Sequence, residues 1–327
     1  MASPAENPPP LVRVLCGPTA SGKSAVTVHL ARRLNAEILS VDSMKIYRRL
    51  NIGTAKPPAA TLAAMRHHLI DIREPWETYS VAEFLRDAEA LIAGCAARGV
   101  SLIGDGGTAL YLKALSEGLF AGPGRDLELR ETLEAEARAI GTSELHARLA
   151  GLDPRAAARI LPGDLRRIVR AMEVHALTGI PISQWQSQWG VPRRDLDVRL
   201  ACLTLPRPVL YSRIDARVGR MLDAGWLDEC RALLDLPQAL SREASQALGY
   251  RTLFAHLRGL LTAQEARERI GFDTHHFARR QLNWFKHLPK ITFIEVAEGD
   301  SVESVAERVL EAWAAGDRGD RRLTANE

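Results

Sequence analysis

The segment LVRVLCGPTASGKSAVTVHLARRL, Leu11 to Leu34, leaves a chain of this kind few folds to choose from. Leu11 to Cys16 is a short β-type run, Gly17 to Ser24 fits G-x-x-x-x-G-K-[ST], and helical periodicity follows to Leu34. Such a strand, turning through glycines into a helix N-terminus, is a phosphate cradle. The glycines let backbone N–H groups converge and the helix end favours an anion. Gly17, Pro18, Thr19, Ala20, Ser21, Gly22, Lys23 and Ser24 are therefore the expected phosphate-binding residues, with Lys23 as a point charge and the Ser24 hydroxyl as a Mg2+ ligand. The pattern ordinarily marks nucleotide and ATP binding, but what it recognises is a diphosphate with its cation, which many metabolites share. The Asn-Lys-x-Asp element of guanine-specific relatives is absent from the chain.

Around this loop the sequence alternates strand and helix. AEILSVDS supplies a strand ending near Asp42, and RGVSLIGDGGT another ending in glycines. A helix of about residues 81–98 opens on the capping box Ser80 and Glu83 and stops at Gly99. Repeated units of this kind predict an α/β fold with a parallel sheet flanked by helices. From Asp126 to about Trp189 the β-type runs vanish and Ala, Leu, Glu and Arg dominate, which predicts an inserted all-helical domain over 126–196. Strand character returns in DVRLACLTLP and KITFIEV, so the core is expected over 11–125 and 197–300. A capping box at Thr262 and Glu265 opens one long basic helix that ends before Pro289. Residues 1–10 and 315–327 are expected to be disordered tails.

A net charge of +3 over 327 residues excludes a wholesale polyanion binder, so a nucleic-acid surface has to come from local clusters. Two stand out. LRRIVR carries Arg166, Arg167 and Arg170, and ARRQLNWFKHLPK carries Arg279, Arg280, Lys286 and Lys290 with Trp284 and Phe285 between them. Cations that track a backbone beside aromatics that stack on bases suit single-stranded RNA, whereas a solvated helix face over core aromatics is the plainer reading. Arg213 and Arg217 share one helical face, where either a diphosphate clamp or ion pairs would account for them. Asp42, at the carboxyl end of its strand, faces the ligand edge of an open α/β sheet and could take a proton, hold Mg2+ or cap a turn. Asp105 reads either as a Mg2+-holding acid or as a solvated turn residue. Cys16, Cys95, Cys202 and Cys230 show no metal-ligand spacing, and neither a secretory signal nor an apolar run of membrane length is present. A reduced, cytoplasmic protein without membrane association is the expectation.

Taken together, GPTASGKS, SVDSMKIYRRLNIGTAKP, HHLIDIREP, YSVAEFLRDA, GGTALYLKAL, DPRAAARILPGDLRRIVRAMEVHALTG, ALGYR and RRQLNWFK resemble the bacterial tRNA dimethylallyltransferases, or tRNA isopentenyltransferases, in family order from about residue 11 to 290. The resemblance implies transfer of a dimethylallyl group from dimethylallyl diphosphate to N6 of adenosine 37, in tRNAs reading codons that begin with U. It implies Asp42 as general base, Thr19, Lys23 and Arg217 as catalytic contacts to the leaving diphosphate, Mg2+ as cofactor, and the tRNA anticodon stem-loop as partner of a monomer. The tRNA contacts it implies are Asp42, Ser43, Met44 and Lys45; Thr108; Arg130; Arg166, Arg167, Ile168, Val169 and Arg170; Gln246, Ala247, Leu248, Gly249, Tyr250 and Arg251; and Arg279, Arg280, Gln281, Leu282, Asn283, Trp284, Phe285 and Lys286. Two positions depart from the family pattern: Asp105 stands where an apolar residue is usual, and Lys45 where Gln is common. A kinase for a small metabolite and a non-catalytic RNA-binding ATPase are the competing functions for the loop.

Overall fold

The computed structural model describes residues 9–120, 122–188 and 191–323, which divide into two compact units, 1–116 with 193–327 and 117–192. The first unit begins with β1 (Leu11–Cys16), α1 (Lys23–Arg33), β2 (Glu37–Val41), α2 (Ala59–Ala64), β3 (His67–His68), α3 (Val81–Ala97), β4 (Leu102–Gly106) and α4 (Ala109–Glu117). The helical unit holds α5 (Leu127–Ile140), α6 (Thr142–Leu152), α7 (Pro154–Ala157), α8 (Leu165–Thr178) and α9 (Ile182–Trp185). The chain then returns through β5 (Asp197–Thr204), α10 (Arg207–Asp223), α11 (Trp226–Leu234), α12 (Arg242–Ser245), α13 (Tyr250–Leu257), α14 (Ala263–Phe285), β6 (Ile291–Glu295) and α15 (Val302–Leu323).

The strands form one sheet in the order β3-β2-β4-β1-β5-β6, every pairing parallel. Because helices cover such a sheet on both faces, its central strands are continuous apolar runs rather than alternating ones. Val12, Val14, Leu15, Cys16, Leu200, Ala201, Cys202 and Leu203 are accordingly buried. The carboxyl ends of β1, β2 and β4 then deliver the phosphate loop, Asp42 and Gly107–Thr108 to one edge. Both expected capping boxes form, Ser80 with Glu83 on α3 and Thr262 with Glu265 on α14.

Three features differ from the sequence reading. The edge strand β3 is too short to carry an alternating pattern. The chain does not fray at 315. α15 runs on to Leu323, because extending an existing helix is far easier than nucleating one. Its start was legible: Ser301 Oγ accepts from Ser304 N at 3.1 Å, and the buried Val305, Ala306, Val309 and Trp313 recur at helical spacing. Asp105 is no turn residue, since it lies inside β4 and is buried. Of the expected N-terminal tail, residues 1–8 lie outside the described residues, while the Pro10 carbonyl accepts from Asp197 N. The four cysteines are buried and unbridged. No helix among the described residues is long and apolar enough to cross a membrane.

Within the helical unit, Leu133, Leu145, Leu149, Ile168, Val169 and Val174 make a core of their own. Among its buried acids is Glu173, which receives two Arg130 nitrogens at 2.7 Å, Arg170 at 2.5 Å and the backbone N–H of Asp126 at 2.8 Å. Burial alone would raise the Glu173 pKa, but these donors hold it below the ordinary carboxylate value.

Candidate active site

The phosphate loop is built as its sequence requires. Gly22, the N-cap of α1, has φ 88, a left-handed conformation in which a β-carbon is strained. Ser21 N donates to Pro18 O at 3.2 Å, which closes the turn, and Ser21 Oγ is buried with no hydrogen-bond partner among the described residues. Lys23 Nζ donates to Pro18 O at 3.3 Å. Burial pushes the Lys23 pKa down, Asp105 and Asp42 oppose that, and Lys45 and Arg217 reinforce it. These charges therefore sense one another within a single small volume.

α10 brings two guanidiniums to the loop. Arg213 Nη1 lies 4.0 Å from where a β-carbon on Gly22 would stand. One turn later Arg217 is half-buried, and its pKa is lowered by burial against the opposing pull of Asp42. Neither arginine is in a salt bridge among the described residues. The ion-pair reading therefore finds no support among the described residues, and the clamp reading stays open.

Asp42 sits just past β2. Its Oδ1 accepts from Met44 N at 2.8 Å and Lys45 N at 3.2 Å, so the carboxylate also organises its own turn. No hydrogen bond among the described residues engages Oδ2. Thr108 fastens the same turn, its Oγ1 accepting from Ser43 N at 3.0 Å. The two departures from the family pattern meet here as well: Lys45 Nζ is 3.6 Å from Asp105 Oδ2, and both side chains are buried.

Gln281 has a different place from that expected. It is buried in α14, where its Oε1 accepts from Thr19 N at 2.9 Å and its Nε2 donates to Gly107 O at 2.8 Å. A β-carbon on Gly107 would lie 2.5 Å from Gln281 Nε2, so only glycine admits this bridge. The side chain locks the phosphate loop to the β4 loop. Gln281→Leu is expected to weaken inorganic pyrophosphate binding roughly tenfold, the equivalent of one lost hydrogen bond of about 1.4 kcal/mol, as read by calorimetry.

The other expected contacts divide by exposure. On α14, Arg279, Arg280, Asn283, Trp284 and Lys286 are exposed and Leu282 is half-buried, while Phe285 is fully buried. Arg279, Leu282, Asn283 and Lys286 border a cavity of about 340 Å³, together with Tyr211 and Phe293. Between α12 and α13, Gln246 and Arg251 are exposed, Leu248 is half-buried, and Ala247, Gly249 and Tyr250 are buried. In the helical unit Arg166 and Arg167 are exposed, whereas Ile168 and Val169 are core residues and Arg130 and Arg170 hold Glu173. Sequence reasoning missed Glu229. Its carboxylate accepts from Asn51 N and Ile52 N at 2.8 Å each and from Tyr250 Oη at 2.6 Å, which anchors the IGTAKP loop. Nothing local marks it, because an acid in an amphipathic helix is unremarkable until its tertiary partners are known.

A glycine loop between β1 and α1 of a parallel sheet, with ligand-facing groups at the carboxyl edge, defines a P-loop protein. The sequence model of the family described as IPP transferase matches residues 45–288, and the chain belongs to that family. It is 47% identical over 286 residues to a tRNA dimethylallyltransferase of Stenotrophomonas maltophilia, covering 85% of this chain and 90% of the relative. Over 292 residues it is 44% identical to tRNA dimethylallyltransferase 1 of Trichlorobacter lovleyi, covering 89% and 96%. Among solved structures, the full-length tRNA isopentenylpyrophosphate transferase of Bacillus halodurans superimposes with a TM-score of 0.68 at 34% identity, covering 95% of this chain and 99% of that one. A eukaryotic dimethylallyltransferase acting on tRNA gives a TM-score of 0.80 at 23% identity, a likeness of fold that covers 95% and 80%.

Proposed function

We propose that this protein is a cytoplasmic, monomeric tRNA dimethylallyltransferase. It transfers the dimethylallyl group of dimethylallyl diphosphate to N6 of adenosine 37 in tRNAs that read codons beginning with U. The observation that carries the reading is a phosphate loop flanked by Lys23, Arg213 and Arg217, with the open Oδ2 of Asp42 beside it, in a chain of the IPP transferase family.

N6 of adenine is a weak nucleophile. As its bond to C1 of the donor forms, the C1–O bond breaks, the electron pair leaves with the diphosphate, and Asp42 Oδ2 takes the N6 proton. The loop amides with Lys23, Thr19, Arg213 and Arg217 stabilise the charge that gathers on the departing diphosphate. The Ser24 O–H donates to Asp105 Oδ2, which leaves the lone pairs of Oγ directed away from it. The Ser24 hydroxyl is a hard oxygen donor that fits Mg2+, which when bound would neutralise diphosphate charge.

The target base has to leave its stack to reach this edge. Exposed Arg166, Arg167, Arg251, Arg279, Arg280 and Lys286 supply backbone charge and Trp284 a stacking face, while the buried members of the same motifs position them. Incubating the protein with unmodified tRNA and dimethylallyl diphosphate is expected to add one C5 unit to adenosine 37, visible by nucleoside mass spectrometry. Unchanged tRNA with folded protein would refute the reading. Phosphate transfer from ATP without RNA would favour the kinase.

A further inference from the structure

Lys45 and Asp105 face one another at the base of the phosphate loop, each 6% exposed, with Nζ 3.6 Å from Oδ2. Asp105 accepts from Ser24 Oγ at 2.9 Å through Oδ2 and from Thr27 Oγ1 at 3.2 Å through Oδ1. The backbone of Lys45 is in turn held by Asp42. One chain of contacts thus runs from Asp42 through Lys45 and Asp105 to Ser24. A cavity of about 370 Å³ opens against it, lined by Ser24, Thr27, Lys56 and Asp105 among others.

Stability does not explain this pair. β4 is a central strand of a parallel sheet, where an apolar side chain packs well, and a buried ion pair seldom outperforms such packing. What the pair does supply is orientation and charge balance. A hydroxyl has one proton, and with that of Ser24 directed at Asp105 its lone pairs are fixed on the other side. Lys45 cancels the charge that Asp105 would otherwise present to an incoming polyanion. Both effects reach the loop, since Asp105 and Lys45 act with opposite sign on Lys23.

We propose that Lys45 and Asp105 act as one unit: Asp105 orients the Ser24 hydroxyl toward the donor diphosphate and its divalent cation, and Lys45 keeps the site from becoming too negative to hold that diphosphate. Both are positioning residues. The identity of the ligand rests on the function proposed above, but the unit can be tested without tRNA.

The test is calorimetric titration of the full chain with inorganic pyrophosphate, with and without Mg2+, alongside thermal unfolding. Lys45→Gln is expected to weaken pyrophosphate binding at least tenfold. Asp105→Asn is expected to bind metal-free pyrophosphate at least as tightly as the unmodified protein, and to lose at least tenfold of the tightening that Mg2+ confers. The double variant Lys45→Gln/Asp105→Asn should recover metal-free affinity to within about threefold. A merely structural pair would change the unfolding temperature and leave these affinities alone. Single variants within twofold of the unmodified protein in both titrations, or a double variant whose metal-free affinity stays tenfold or more below that of the unmodified protein, would overturn the proposal. Should a single variant fail to fold, Asp105→Glu takes its place, because it keeps the charge but moves the carboxylate by one methylene. A fivefold loss of Mg2+ tightening then supports the unit and a change under twofold overturns it. Pyrophosphate binding that behaves as expected in a protein unable to prenylate tRNA would sink the function and spare the unit. An unmodified protein that does not bind pyrophosphate with Mg2+ would sink both.

Discussion

Asp42→Asn is expected to lower the single-turnover rate of prenyl transfer by roughly 10²–10⁴-fold, the usual contribution of a positioned general base. The fold should tolerate it. Oδ1 of Asp42 accepts from Met44 N and Lys45 N, and an amide oxygen accepts from the same two donors. The change falls on the other atom, where Oδ2 becomes an NH2 group that donates and cannot take a proton. Removing a negative charge near Lys23 and Arg217 also makes the site more positive. Pyrophosphate affinity should therefore stay level or rise. tRNA affinity, measured by filter binding, should stay within about threefold. A rate within fivefold of the unmodified protein would remove Asp42 from the base role.

How much of this site could be read from the sequence depended on how far apart in the chain its partners lie. The phosphate loop and both capping boxes were legible because each is a spacing of a few residues whose geometry follows from one strand or helix. Asp42 was legible by its place at a strand end. The functions of Gln281 and Asp105 were not. Gln281 meets Thr19 across 262 residues and Gly107 across 174, and Asp105 meets Ser24 across 81. Parallel strand order brings such residues together, and no local periodicity records it. Exposure was hidden for a related reason. Within the motif Arg279 to Lys286 the helical period sends Gln281 and Phe285 inward, four residues apart, and leaves Arg280 and Trp284 outside, so a contiguous motif is two faces with two tasks. Helix α15, by contrast, carried a readable apolar stripe.

The same division of faces gives α8 of the helical unit two separable roles, and the second large effect follows from it. Glu173→Gln is expected to destabilise the helical unit by about 3–5 kcal/mol, because removing one partner of a buried ion pair strands the others. Two guanidiniums are at stake, with Arg130 gripping both carboxylate oxygens and Arg170 gripping one while its other nitrogen donates to Pro123 O at 2.8 Å. The pH dependence has a definite sign. The folded Glu173 pKa is depressed, so its contribution is complete above the unfolded glutamate value of about 4.3 and is lost as pH falls through the lower folded value. The gap in stability between the parent and Glu173→Gln should therefore be full at pH 7 and close progressively below about pH 4. Amide hydrogen exchange can read it locally, at Leu145 and Leu149 of the helical core, with Val14 and Leu200 of the sheet as the reference. Arg166→Ala provides the opposite case: exposed on α8, it should leave those exchange rates unchanged while weakening tRNA binding and lowering its salt dependence by about one counterion. Arg130→Ala should resemble the Glu173 variant and not the Arg166 variant, since its guanidinium is already committed to a carboxylate inside the protein. A loss of tRNA affinity for Arg130→Ala without any loss of protection at Leu145 and Leu149 would show instead that its contact with RNA outweighs its bond to Glu173.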